Sequence, residues 1–271
     1  MLYIHWNPDP VLIDLGFISL RWYSILFATG VFMSYWYIKK QFLADGISLE
    51  KLDKLSIYII VGIVLGARLG HCLFYEFDYY KDHPLEMILP FRFQPEFKFT
   101  GFQGLASHGG AIGILTALLL FVRKFKMNIW YLLDLLAVSI PLTGFFIRMG
   151  NLMNSEIIGE PSDAPWAFIF KRVDEIPRHP GQLYEALAYL LIFGIMLLLK
   201  QRVPKEKKGI LFSFFLILTF SARFLIEFLK ENQVAFEKGL NLNMGQYLSI
   251  PFVLTGLGLL LWRNKKRDLA G

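Results

Sequence analysis

Seven apolar runs, each close to the ~20 residues that cross a bilayer, alternate with polar, charged or Pro-rich stretches along the 271-residue chain. They fall at about residues 17–38, 55–77, 104–122, 129–147, 182–199, 210–229 and 247–262. This pattern predicts an all-α polytopic membrane protein with about seven transmembrane helices, built as a single integral membrane domain over 1–271. Residues 1–15, aromatic and broken by Pro8 and Pro10, read as an interfacial segment lying on the membrane. No internal repeat is visible in motif or hydropathy, which counts against a secondary transporter.

Lysine and arginine orient the spans. Sixteen follow the first, third, fifth and seventh runs, nine lie in the other connections, and Arg21, Arg68 and Arg223 sit in or at the ends of runs. The positive-inside rule then puts the C-terminus in the cytoplasm and the N-terminus outside. The two long connections, 78–103 and 148–181, become extracytoplasmic loop segments. Composition agrees with the pattern, since 55% hydrophobic residues and a mean hydropathy of +0.46 are too apolar for a soluble chain of this size. The net charge of +6 reflects cytoplasmic loops facing anionic lipid, so nucleic acid is not an expected partner. The single cysteine, Cys72, can form no intrachain disulfide, has no metal-ligand companions and reads as a buried structural thiol. No basic region precedes the first apolar run, so no cleavable signal peptide is expected and the first span stays in the mature protein.

The densest chemistry lies where the fourth run ends, in Arg148-Met-Gly-Asn151-Leu-Met-Asn154-Ser-Glu156-Ile-Ile-Gly159. A planar guanidinium at the membrane rim stays charged and matches phosphate oxygens. Asn151, Asn154 and Glu156 can orient that arginine or a polar substrate, while Gly150 and Gly159 admit close backbone approach. A lone arginine there would read as a snorkelling helix end; five polar or glycine neighbours favour binding. Arg223 and Glu227 share a helix face at i, i+4, where an ion pair accounts for both and a second anion-binding arginine is an equal alternative. Arg68 is flanked by small residues that let a neighbouring helix come close, and Arg21 reads equally as a snorkelling residue. His108 opens the third run, and imidazole titrates near neutrality, which makes it the best candidate for proton transfer. Its Gly109-Gly110 neighbours look like a Gly-rich loop, but no lysine stands where a phosphate loop needs one. Tyr23 is either a hydrogen-bond donor or part of an aromatic belt, and the polar cluster from Pro177 to Glu185 reads as a clamp for the long loop, with a role in the site as the lesser alternative.

Taken together these segments resemble the prolipoprotein diacylglyceryl transferase family. The resemblance rests on Arg148-x-Gly-Asn151-x-x-Asn154-x-Glu156-x-x-Gly159, supported nearly end to end by Arg21-Trp-Tyr23, Gly66-Ala-Arg-Leu-Gly70, Ser107-His-Gly-Gly110, Arg178-His-Pro-Gly-Gln-Leu-Tyr-Glu185, Arg223-Phe-x-x-Glu227 and Met244-Gly-Gln246. Thr219 stands where the family can carry an aromatic hydroxyl. The resemblance implies a bacterial plasma-membrane enzyme with its site toward the extracytoplasmic leaflet. It would move the sn-1,2-diacylglyceryl group of phosphatidylglycerol to the lipobox cysteine thiol of a prolipoprotein signal peptide, forming a thioether and releasing glycerol phosphate. His108, Tyr23, Arg223 and Glu156 would be catalytic; Arg148, Asn151, Asn154 and Gly159 would bind phosphatidylglycerol. Neither metal nor cofactor is expected, and membrane lipid is the remaining partner. A lipid or solute transporter would use the same arginines without a base, and a purely structural membrane protein would use none of them.

Overall fold

A computed structural model describes residues 3–16, 19–93, 96–99, 101, 104–231 and 242–268, with side chains 107 and 264–268 not described. Phe17, the expected start of the first span, lies outside the described residues, as do Pro95 and Thr100 of the first long connection and Lys238 of the charge count. The long helices are α1 (Trp22–Ala44), α2 (Leu49–Phe74), α5 (Ser107–Phe125), α6 (Ile129–Asn154), α7 (Gly181–Arg202), α8 (Ile210–Ile226) and α9 (Met244–Asp268). The short ones are α3 (Phe77–Tyr80), α4 (Pro84–Ile88) and a 3-10 turn at Glu227–Leu229. Six helices, α2 and α5 to α9, are long and apolar enough to cross a membrane, so this is a mostly helical, multi-pass membrane protein. α1 has the length, but Tyr35, Trp36, Tyr37, Lys39 and Lys40 dilute its apolar character. The chain forms two compact units, 41–129 and the remainder.

In the first of these units, α2 and α5 lie backbone to backbone. A Cβ on Gly66 would collide with the Gly109 carbonyl, and one on Gly113 with the Gly62 carbonyl. Small residues permit such contact where both helices are already apolar and hydrophobic transfer adds little. Gly109, beside His108, is therefore a packing residue. Cys72 is fully buried near the end of α2. Arg68, also buried, donates to the Tyr80 hydroxyl at 3.0 Å and to the Glu86 carbonyl at 2.7 Å, so α3 and α4 fold back beside α2. The connection expected as a loop segment thus carries a structured arm, with β4 (Phe91–Arg92) and β5 (Lys98–Phe99) paired antiparallel.

In the other unit, α1 and α6 join through hydroxyls as well as contact: Ser34 donates to the Ser139 carbonyl at 3.0 Å, and Thr143 to the Gly30 carbonyl at 3.2 Å. Asp134 of α6 caps α8, accepting the Gly209 amide at 2.6 Å and the Phe212 amide at 2.8 Å, which satisfies donors that every helix start leaves open. The N-terminal segment is not a simple interfacial stretch. Its β1 (Ile4–Trp6) pairs in parallel with β6 (Phe168–Phe170), which pairs antiparallel with β7 (Pro177–Arg178). β2 (Val11–Asp14) and β3 (Ser19–Arg21) form a hairpin leading into α1, with Arg21 exposed. Trp6 Nε1 donates to the Leu152 carbonyl at 2.8 Å, and Trp6 packs with Leu152, Phe168 and Phe170. This small core fixes the last turns of α6, where the signature begins.

Candidate active site

α6 does not stop with its apolar run at Ile147. It continues to Asn154, carrying Arg148, Asn151 and Asn154 in its final turns, because their side chains find polar partners without leaving the helix. Arg148 Nε pairs with Glu185 Oε2 at 2.9 Å, and its NH1 donates to Asn151 Oδ1 at 3.1 Å. Asn151 Nδ2 donates in turn to Glu156 Oε1 at 2.7 Å, and Asn154 Nδ2 to the same oxygen at 3.2 Å. The Glu156 carbonyl accepts from Gln182 Nε2 at 2.6 Å. Glu156 therefore fixes the two asparagines. Its flanks, Ser155 at φ 55° and Ile157 at φ 61°, occupy the left-handed region, which is costly for a β-branched residue. That strain is held by the bonds on either side.

Gly159 lies between two strands of backbone. Its amide donates to the His179 carbonyl at 3.0 Å, and a Cβ would stand 2.5 Å from that oxygen and 2.6 Å from the Leu229 carbonyl. Its role is close approach, which ties the loop to the end of α8. Tyr23 packs on Gly150, whose Cβ would come within 2.8 Å of the ring. Tyr189, seated on Gly144, is near enough to Glu185, Arg148 and Arg223 to feel all three charges. Arg223 makes no ion pair or hydrogen bond among the described residues. The expected Arg223–Glu227 pair is not formed: Glu227 Oε2 takes Lys230 Nζ at 3.0 Å, on the 3-10 turn that follows α8. Both side chains are buried.

The segment Pro177 to Glu185 divides in two. Arg178 is the clamp, bonding Asp174 through Nε at 3.0 Å and NH2 at 2.6 Å and reaching the Gly159 carbonyl at 3.3 Å. Arg178 holds the Asp174 carboxyl below the usual carboxylate range, against the smaller effect of burial. Gln182 and Glu185, both fully buried, belong to the arginine site instead. Sequence reasoning placed them in the loop clamp, with a role in the site as the lesser alternative, although a carboxylate at the head of an apolar run is itself a signal of function. Lys230 and Tyr189 had no such signal; their roles arise from the folding of α7 and α8 around Arg148.

His108 is in the other unit. It opens α5 with its ring exposed, and its nearest aromatic neighbours are Phe74 at 5.4 Å and Tyr75 at 5.7 Å between centroids. No hydrogen bond to the imidazole is present among the described residues, so both ring nitrogens are free to meet a ligand.

The family model of prolipoprotein diacylglyceryl transferase matches residues 10–262. Proteins called phosphatidylglycerol--prolipoprotein diacylglyceryl transferase are similar to this chain at nearly full length. The one from Bacteroides fragilis is 49% identical, covering 99% of this chain and 98% of its own. That from Tolumonas auensis is 46% identical over 97% and 99%, and that from Porphyromonas gingivalis 38% over 96% and 94%. With the signature arginine, asparagines and glutamate joined in one hydrogen-bonded network and the match running through all the long helices, the chain belongs to the prolipoprotein diacylglyceryl transferase family.

Proposed function

We propose that the arginine network is the phosphatidylglycerol site of this transferase and that His108 is its base. The enzyme transfers the sn-1,2-diacylglyceryl group of phosphatidylglycerol to the lipobox cysteine of a prolipoprotein. The thiol sulfur attacks the glycerol carbon that carries the phosphate ester, the carbon–oxygen bond breaks, and glycerol phosphate leaves with the bonding electrons. The thiol proton passes to a base. A free thiol is only a few per cent thiolate at neutral pH, so an uncommitted imidazole at His108 contributes directly to rate.

One observation carries the assignment of the anion site. Arg148 and Lys230 both have carboxylate partners, whereas the Arg223 side chain, close enough to Tyr189 to act on it, has none among the described residues. A lipid phosphate supplies the missing negative charge. Glu185 faces Arg148 Nε as an ion pair and Asn151 takes one of its N–H donors, which holds the guanidinium in place with donors left for phosphate oxygens. Preorganised donors of this kind stabilise the charge that the leaving phosphate keeps in a water-poor site. Asn154 and Glu156 complete the support, Gly159 closes the loop, and Tyr23 flanks it across Gly150.

The chain acts as a single integral membrane domain in a bacterial plasma membrane, crossing it seven times with α1 as the first crossing. The N-terminus and residues 78–103 and 148–181 face outward, and the C-terminus lies in the cytoplasm, as the lysine and arginine distribution supports. The test combines purified protein, phosphatidylglycerol and a lipobox peptide, with mass spectrometry for the gain of a diacylglyceryl group. A peptide of unchanged mass, with folded protein, overturns the reading.

A further inference from the structure

Lys230 is among the least exposed charged residues described, 4% exposed, and nothing in the chemistry above uses it. Its Nζ stands 3.0 Å from Glu227 Oε2 and 3.9 Å from Glu185 Oε1, and Glu185 is the carboxylate that grips Arg148 Nε. Its backbone bridges to Gly159, the Glu160 amide donates to the preceding Leu229 carbonyl at 3.0 Å, and the Glu231 amide to the Ile158 carbonyl at 3.4 Å. Its stem packs on Gly181, where a Cβ would meet Lys230 Cγ at 3.1 Å. One residue thus joins the loop after α6, the start of α7 and the end of α8.

We infer that Lys230 is a positioning residue for phosphatidylglycerol binding, acting through Glu185 on Arg148. Two buried carboxylates, Glu185 and Glu227, meet one buried cation, Lys230, and one half-buried cation, Arg148, so these four charges cancel. Without Lys230, one arginine must serve two carboxylates, and the extra negative charge opposes a phosphate at Arg148. The ligand is then lost for an electrostatic reason, although Arg148 itself is intact. Tyr189 is a further ionisable group close to Glu185, and Arg223 lies near enough to Tyr189 to act on it. From α9, Gly245 packs on the Glu227 carboxylate and brings no charge.

The inference rests on Arg148 holding the donor phosphate, and kinetics separate the two. Lys230→Met should raise the KM for phosphatidylglycerol about tenfold, the scale of one lost charge-assisted contact, and change kcat much less. Lys230→Arg keeps the charge and should keep the KM near wild type. The deciding variant is Lys230→Met with Glu227→Gln, which removes one cation and one carboxylate together. It should return the KM to within about twofold of wild type, well inside the same scale. A merely structural lysine predicts that the double variant is as impaired as the single one. A folded Lys230→Met enzyme with wild-type KM overturns the inference, and so does a double variant that stays tenfold weakened; the double variant decides alone if the single one fails to fold. If Arg148→Lys leaves activity unchanged, the phosphate reading has failed first.

Discussion

Arg148 and His108 are held by opposite means. Arg148 is 13% exposed at its side chain and is tied at two nitrogens, through Glu185 and Asn151, to a network that reaches Glu156, Gln182 and Lys230. His108 is exposed, with the rings of Phe74 and Tyr75 beside it, and its place is set by backbone: the Gly62–Gly113 and Gly66–Gly109 approaches fix α5 against α2. The difference suits the tasks proposed for them. A phosphate clamp must be rigid and charged before the ligand arrives, because reorganising a buried charge costs what binding would gain. A base must be free to meet a proton that arrives with the second substrate. A polar mistake near Arg148 should therefore damage binding, whereas a volume mistake near His108 should damage the fold first.

The largest expected effect isolates the bare histidine. His108→Asn should cut transfer by roughly 10²–10⁴-fold with the thermal melting curve unmoved, because no described hydrogen bond depends on the ring. Transfer at the wild-type rate would remove His108 from the proton path. Next in size is the clamp. Arg148→Lys keeps the charge and loses the fork, and should cost on the order of 2–4 kcal/mol in kcat/KM. A lysine enzyme with a rate ratio near one would return Arg148 to a snorkelling helix end.

The glycine contact is probed by Gly113→Ala. Its methyl would be driven against the Gly62 carbonyl, so stability should fall by about 1–3 kcal/mol, with activity lost only as a consequence of unfolding. A variant with wild-type stability would show that α2 and α5 are not locked by backbone contact. Smallest is Asp174→Asn beside the clamp. The folded-state pKa of Asp174 is depressed by Arg178, so the stabilisation is fully present above the unfolded value near 4 and disappears as pH falls through the folded value. The stability gap between wild type and variant should be constant above about pH 5 and narrow as the pH drops below about 4. A gap that does not narrow in acid would separate the stability effect from that ion pair.

Much of the site is legible without coordinates because its strongest constraints are local. An arginine, two asparagines and a glutamate at the end of an apolar run are unusual in any context, and Gly159 is spaced to close the loop that follows. The apolar runs mark the long helices for the same reason, since twenty hydrophobic residues in a row have few other uses. Helix ends are less legible: α6 runs seven residues past Ile147 because its polar residues satisfy one another, which no hydropathy profile records.

The sequence by itself determined the membrane class and the family and singled out Arg148 as the candidate clamp, since each is written in contiguous residues whose chemistry has few alternatives. Only the tertiary structure decided which charges meet. Glu227 turns to Lys230 and not to Arg223, Glu185 reaches Arg148 across 37 positions, Asp134 caps a helix 75 residues away, and Arg68 is satisfied by an arm that folds back on its own helix. Buried charges take whichever partner the packing of helices brings within about 4 Å, and that packing is set by where glycines let backbones touch. Neither choice is fixed by spacing along the chain.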